Sequence, residues 1–249
     1  MDVAPEISIV ADAAAIADET AKEILDAATT AVAEHGRFMI ALAGGATPRQ
    51  TYERLTLPPY VDQLPWSRTW VFFGDERAVP PVHPESNYRV AATTLLSKVP
   101  IPPEQVFRIR GEDPDSEVAA TDYARTLTDV FGTRRGEMPR FDLVLLGLGV
   151  DGHVASLFPG SPVLKEVFRT VAAVHAAAAA IPTRITLTYP VFNAAARIVF
   201  LVSGAEKAKI VKASLREGAV LPATMARPTE GRLRWILDRP AAALLPKSS

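Results

Sequence analysis

No cysteine occurs in this chain of 249 residues, which excludes disulfides and thiolate metal sites; nothing in the composition calls for an oxidising compartment. No uninterrupted apolar run approaches the ~20 residues that a membrane-spanning helix needs. An excess of one charge is missing too. The 27 Lys and Arg residues face 28 Asp and Glu, and a formal net charge of −1 supplies no global field toward nucleic acid or an anionic membrane. The opening residues, Met1-Asp2-Val3-Ala4-Pro5-Glu6, carry neither a basic nor an apolar leader region, so no secretory signal is expected. These absences predict a cytoplasmic protein that engages neither nucleic acid nor membrane.

What is there reads as an ordinary globular chain, long enough to bury a sizeable core. Strand-like and helix-like patterns alternate, which predicts an α/β fold with a mostly parallel, Rossmann-like sheet covered by helices on both faces. Short strands are expected over 7–11, 38–43, 69–73, 105–109, 170–174, 184–188, 197–202 and 235–237. Helices are expected over 12–34 (Asp12 as cap, Gly36 just past the end), from Pro48 with Thr47 as cap, over 86–96, 116–131 and 205–216, with a short one from Pro190. Residues 133–139 read as a polar linker and 176–180 as an alanine patch. No long linker, repeat or composition break divides the chain, so one domain over 1–249 is the simpler reading.

The stretch that organises the rest is 141–160. Its first half, Phe141-Asp142-Leu143-Val144-Leu145-Leu146, is an apolar run suited to a strand buried on both faces. Gly147-Leu148-Gly149-Val150-Asp151-Gly152-His153 follows at once, and Pro159-Gly160 breaks the chain again. In open α/β sheets ligands bind at the carboxyl ends of strands. A histidine delivered there can take a proton from water near neutral pH, with a neighbouring carboxylate to orient it.

Three further clusters sit at comparable places. Gly44-Gly45-Ala46-Thr47-Pro48, between a strand and a helix, is either a tight turn or a cradle of N–H groups for a phosphate or oxyanion. It lacks the Walker and dinucleotide spacings, so no nucleotide is implied. Gly74-Asp75-Glu76-Arg77 is either a solvated loop or, with His83, Ser86, Asn87 and Tyr88 behind it, part of a site. Arg184 and Lys207 both read as lying at strand–helix junctions, where they are either surface cations or phosphate ligands. His35 and His175 take a structural reading.

Together these pieces resemble the 6-phosphogluconolactonases. The likeness is carried by 43–48, by Asp75-Glu76-Arg77 with Val79-Pro80, His83 and Ser86-Asn87-Tyr88, and by 147–153 with 155–160. It continues through Arg184-Ile185-Thr186-Leu187-Thr188 with Asn193, Ser203-Gly204 with Lys207-Ala208, Pro222-Ala223, and Trp235-Ile236-Leu237-Asp238. One departure is Val154, where the family usually has threonine. The resemblance implies a fold shared with glucosamine-6-phosphate deaminase and ribose-5-phosphate isomerase, and hydrolysis of 6-phospho-D-glucono-1,5-lactone to 6-phosphogluconate in the oxidative pentose phosphate pathway. It implies no cofactor or metal, a sugar-phosphate lactone as the partner, and a monomer. Carried onto these residues, it makes His153 the general base, Asp151 its support, and Asp75 a group for substrate hydroxyls or water. Gly44 and Gly45 would meet the oxyanion, and Thr47, Arg77, Arg184 and Lys207 would hold phosphate.

The related deaminases share the Gly-Gly-x-Thr-Pro turn and the Asp-Gly-His loop, but their loop continues Ile-Ala-Phe-Asn-Glu-Pro. Residues 154–159 here are Val-Ala-Ser-Leu-Phe-Pro, without an acid, which favours hydrolysis. A sugar-phosphate sensor of a transcription regulator would need a DNA-binding module, and no basic appended helix pair is present.

Overall fold

The computed structural model of the chain describes residues 4–177, 179–216 and 218–246. The first three residues read for a leader and Ala178 of the alanine patch lie outside them. In chain order the elements are β1 (Glu6–Val10), α1 (Ala13–His35), β2 (Phe38–Leu42), α2 (Ala46–Leu55), α3 (Tyr60–Gln63), β3 (Thr69–Phe73), β4 (Asp75–Arg77) and α4 (Asn87–Ala91). There follow α5 (Ser116–Phe131), β5 (Leu143–Leu146), β6 (Val171–His175), β7 (Thr183–Leu187), α6 (Tyr189–Ala194), β8 (Arg197–Val202), α7 (Ala208–Arg216), α8 (Pro222–Met225) and β9 (Arg232–Asp238). A π turn over Ala92–Leu96 extends α4, and a 3₁₀ turn over Ala205–Lys207 leads into α7.

Six strands form one sheet in the order β1-β9-β8-β5-β2-β3, with every neighbouring pair parallel. All residues of β2 and β5 are buried, as expected of strands covered on both faces. From β2 the chain steps to β3 at one edge, whereas β5 leads to β8 and β9 on the other side. The strand order therefore reverses between β2 and β5, and a crevice opens at their carboxyl ends. Helix α1 begins as its sequence directs. Asp12 accepts from Ala15 N–H at 2.9 Å, and Gly36, at φ +81°, closes the far end in the left-handed conformation.

Two features depart from the expected pattern. Residues 105–109 form no strand but make a single parallel bridge, Val106 to Val71, beside a 3₁₀ turn over Pro103–Gln105. Pro102 and Pro103 cannot donate to a ladder. The segment's side chains serve β3 instead: Phe107 stacks on Phe72 at 4.9 Å, and Gln105 Nε2 donates to Thr69 O at 2.6 Å. The second departure is a small antiparallel sheet, β4-β7-β6: the strands expected over 170–174 and 184–188 form as β6 and β7, but they leave the parallel sheet and pair with each other and with the unexpected β4.

Gly74 joins the two sheets. Its N–H donates to Leu42 O (2.9 Å) in the large sheet, and its carbonyl accepts from Leu187 N–H (2.8 Å) in the small one. Just beyond, the buried Glu76 carboxylate clamps the start of α4. It accepts from Arg77 N–H (2.9 Å), Asn87 N–H (2.7 Å), Tyr88 N–H (2.9 Å) and Ser86 Oγ (2.9 Å). Burial pushes this carboxyl above its ordinary range, and the hydrogen bonds only partly offset that. Exchanging one acceptor oxygen for an amide N–H₂ would set donor against donor at two of these contacts. Glu76→Gln is expected to destabilise the fold by about 1–3 kcal/mol. An unchanged midpoint in urea unfolding would rule the clamp out.

Candidate active site

Loops at the carboxyl ends of the parallel strands enclose a cleft of about 630 Å³, within the range that holds small ligands. Gly44, Gly45, Thr47, Asp75, Arg77, His153, Arg184 and Lys207 all line it. Asp151 does not; it stands behind the imidazole. His35, read as structural, pairs with Asp142 at 2.9 Å at the amino ends of β2 and β5, opposite these loops, and Asp142 also accepts from Met39 N–H at 2.7 Å.

The loop after β5 turns tightly. Gly149 N–H donates to His153 O (2.8 Å) and Gly152 N–H donates to Gly149 O (3.0 Å). Inside it His153 Nδ1 lies 2.6 Å from Asp151 Oδ1, which also accepts from His153 N–H at 3.1 Å. A Cβ on Gly149 would stand 2.1 Å from Nδ1 and 2.6 Å from Asp151 Oδ1, so only glycine leaves room for the pair. Burial pushes the Asp151 carboxyl up, but the His153 N–H and the adjoining imidazole outweigh it and hold the group below the ordinary carboxylate range. An ionised carboxylate can only accept. The ring hydrogen therefore belongs on Nδ1, leaving the Nε2 lone pair free. The His153 side chain is 31% exposed, accessible to a small reactant without being solvated all round.

Asp75 is buried and held from both sides. Ser156 Oγ donates to Oδ2 at 2.6 Å and Asn87 Nδ2 donates to Oδ1 at 3.0 Å. Ser156 is brought there by Ala155, which adopts φ +49°, an uncommon conformation for a residue with a side chain. Asn87 Nδ2 also reaches Asp75 O at 2.9 Å, and Asn87 Oδ1 accepts from Arg77 Nη1. A Cβ on Gly44 would fall 1.9 Å from that Asn87 oxygen, so the glycine turn after β2 closes directly over this network. Val154 is fully buried, in a position where an apolar side chain is accommodated.

Arg77 and Arg184 face each other in register across β4 and β7. Like charges placed directly opposite destabilise a strand pair. Burial lowers the Arg184 pKa, with Arg77 adding to the effect and Asp75 opposing it. Arg184 Nε donates to Ile181 O at 3.0 Å; Arg77 Nη1 donates to Glu85 O at 3.0 Å, while Arg77 Nε is buried with no hydrogen-bond partner among the described residues. Two opposed cations on one cleft wall could be met by an anion placed between them. Lys207 approaches from the turn after β8. That turn is tied down by the buried Asp238, which accepts from Ser203 Oγ (2.5 Å), Gly204 N–H (3.1 Å) and Ala241 N–H (2.8 Å). The N-terminus of α2 lies at the cleft without a side-chain cap, which leaves its first N–H groups for a ligand.

Two expectations change. Thr47 does not cap α2: Gly45, at φ +105°, is the cap residue and Thr47 lies inside the first turn, because the glycine can take the backbone angle that lets the helix start earlier. Arg184 lies within β7 and not at a strand–helix junction, since the strand begins at Thr183 to pair with β4 and β6. Sequence reasoning named Asn87 only as one of the polar series behind Asp75 and gave it no role, and it did not single out Ser156 or Gly149. Each stood inside a quoted stretch, but the partner of Ser156 lies 81 positions away. Among the described residues no three His, Asp or Glu side chains gather as a metal-binding group.

The chain matches a family model described as glucosamine-6-phosphate isomerases/6-phosphogluconolactonase over residues 11–235. A probable chloroplastic 6-phosphogluconolactonase 3 of Oryza sativa subsp. indica is 39% identical over 240 residues, covering 92% of this chain and 73% of that protein. A 6-phosphogluconolactonase of Nostoc sp. is 37% identical over 242 residues, covering 96% and 98%. The structure of the 6-phosphogluconolactonase from Trypanosoma cruzi aligns with a TM-score of 0.88 at 29% identity over 98% of both chains. At 22% identity and a TM-score of 0.77, a monomeric glucosamine-6-phosphate deaminase shares the fold. With a family match that runs from α1 into β9 and relatives aligned over nearly the whole length, this chain belongs to the glucosamine-6-phosphate isomerase/6-phosphogluconolactonase family.

Proposed function

We propose that this chain is a 6-phosphogluconolactonase, a lactone hydrolase that opens 6-phospho-D-glucono-1,5-lactone to 6-phosphogluconate, acting as a single-domain monomer. The observation that carries the reading is one cleft with an Asp151-supported imidazole on one wall and the opposed Arg77–Arg184 pair on another. The names of the relatives favour the lactonase over the deaminase within the family. So does the loop 154–159, which holds no acid to move protons in an amino sugar.

In this reading the Nε2 lone pair of His153 takes a proton from water as the oxygen attacks the lactone carbonyl, a step for which a positioned base contributes about 10²–10⁴-fold. Asp151 stabilises the imidazolium that forms. Backbone N–H groups of the Gly44–Gly45 turn and the start of α2 meet the tetrahedral oxyanion. The imidazolium then returns its proton to the departing ring oxygen, so acid and base are one residue. Arg77, Arg184 and Lys207 hold the 6-phosphate. Asp75, fixed by Ser156 and Asn87, faces the sugar hydroxyls.

Three outcomes follow, read with freshly prepared lactone in an assay corrected for spontaneous opening. His153→Ala should lower kcat by at least about 10²-fold while binding of 6-phosphogluconate stays within about threefold; near-normal turnover in this variant would reject the base. Arg184→Met should weaken 6-phosphogluconate binding by about 10–100-fold yet leave the urea midpoint unchanged or raised, because it relieves the repulsion from Arg77. Full affinity in Arg184→Met would remove that arginine from the phosphate site. Wild-type protein that released ammonia from glucosamine 6-phosphate and left the lactone untouched would replace this reading with the deaminase.

A further inference from the structure

Phe158 is not on the wall of the cleft, but its ring touches two groups that are. Its centroid lies 4.3 Å from that of the His153 imidazole, with the planes 33° apart. The guanidinium carbon of Arg184 lies 5.6 Å from the same centroid. His153 arrives on the loop after β5 in the parallel sheet, Arg184 on β7 in the antiparallel one. One aromatic ring is thus a shared neighbour of a residue from each sheet.

The other restraints on these two side chains leave a specific freedom. His153 is held at Nδ1 by Asp151, and a single hydrogen bond at a ring edge fixes a direction while the ring can still tilt about it. Arg184 is held at Nε by Ile181 O, which leaves its terminal nitrogens free to swing. A flat apolar face fixes a plane, which is the restraint that both side chains otherwise lack. The electrostatics act in the same sense. The face of an aromatic ring is negative and attracts cations within about 6 Å. Arg184 is charged throughout and His153 becomes charged once it has taken a proton.

We propose that Phe158 is a positioning residue that sets the plane of both the His153 imidazole and the Arg184 guanidinium, coupling the base to the anion-binding wall. The inference rests on the roles given to His153 and Arg184 above. It goes beyond them in making a residue that meets no substrate responsible for their common alignment.

The test compares Phe158→Leu, which keeps an apolar side chain and removes the face, with Phe158→Tyr, which keeps the face. Turnover is read with the lactone, and binding is read by calorimetry with 6-phosphogluconate and with inorganic phosphate. Phe158→Leu should lower kcat and weaken 6-phosphogluconate binding together, each by about 3–30-fold. Phe158→Tyr should restore both to within about twofold. In the Arg184→Met background, Phe158→Leu should cost no further affinity, because its effect on binding runs through that side chain. In proton NMR the His153 ring protons should lose the displacement due to the neighbouring aromatic face in the leucine variant and keep it in the tyrosine variant. A leucine variant equal to wild type in turnover and affinity overturns the proposal, and so does a full, additive loss of affinity in the Arg184→Met background. Wild-type protein that binds 6-phosphogluconate but fails to open the lactone overturns the lactonase reading alone, and the binding and NMR arms still decide the role of Phe158. Wild-type protein that binds neither phosphate probe overturns both.

Discussion

The site depends on a single backbone junction. At Gly74 the chain leaves the parallel sheet by one hydrogen bond to Leu42 and enters the antiparallel one by another from Leu187. The two opposed arginines and Asp75 hang from that second sheet: Asp75 and Arg77 on β4, Arg184 on β7. The glycine turn, His153 and Lys207 hang from the first, through the loops after β2, β5 and β8. Two sheets that met at a different angle or register would carry the same side chains to separate places. The chemistry is therefore a property of how two pairing patterns are spliced, and one residue does the splicing.

A common rule governs how each polar group is held. His153 is tied at Nδ1 and open at Nε2; Arg184 is tied at Nε and open at its tips; Arg77 is tied at Nη1 by Glu85 and Asn87; Asp75 is gripped by Ser156 and Asn87. In each case a hydrogen bond within the protein fixes part of the side chain before any ligand arrives. Pre-organisation of this kind lowers the ordering cost that a ligand must meet on arrival. Structural anchors sit one layer further out. Glu76 clamps the start of α4 and Asp238 clamps the turn that carries Lys207.

The sequence carried the parallel sheet in its apolar runs, because β2 and β5 are buried on both faces and leave an unbroken hydrophobic signature. Asp12 and Gly36 marked the ends of α1 through local backbone chemistry alone. The Asp151–His153 pair, two residues apart, was legible for the same reason. What could not be read was non-local. The strand β4 is three residues of Asp-Glu-Arg, a charged triplet that pairs only because β7 arrives more than a hundred positions later. The failed strand at 105–109 had the right apolar content but spent it on stacking against Phe72. Ser156 offered no signal by itself, since a serine becomes a site residue only when a turn through a left-handed alanine sends it to a distant aspartate.

Position 149 shows how narrow the tolerance is. The imidazole and its carboxylate occupy the volume in which any other amino acid would begin its side chain. The smallest possible enlargement of the loop, one methyl group, would have to push against the imidazole or the carboxylate paired with it, though it carries no charge and makes no hydrogen bond. The pairing of His153 with Asp151 rests on a hydrogen atom standing where every other residue type has a carbon.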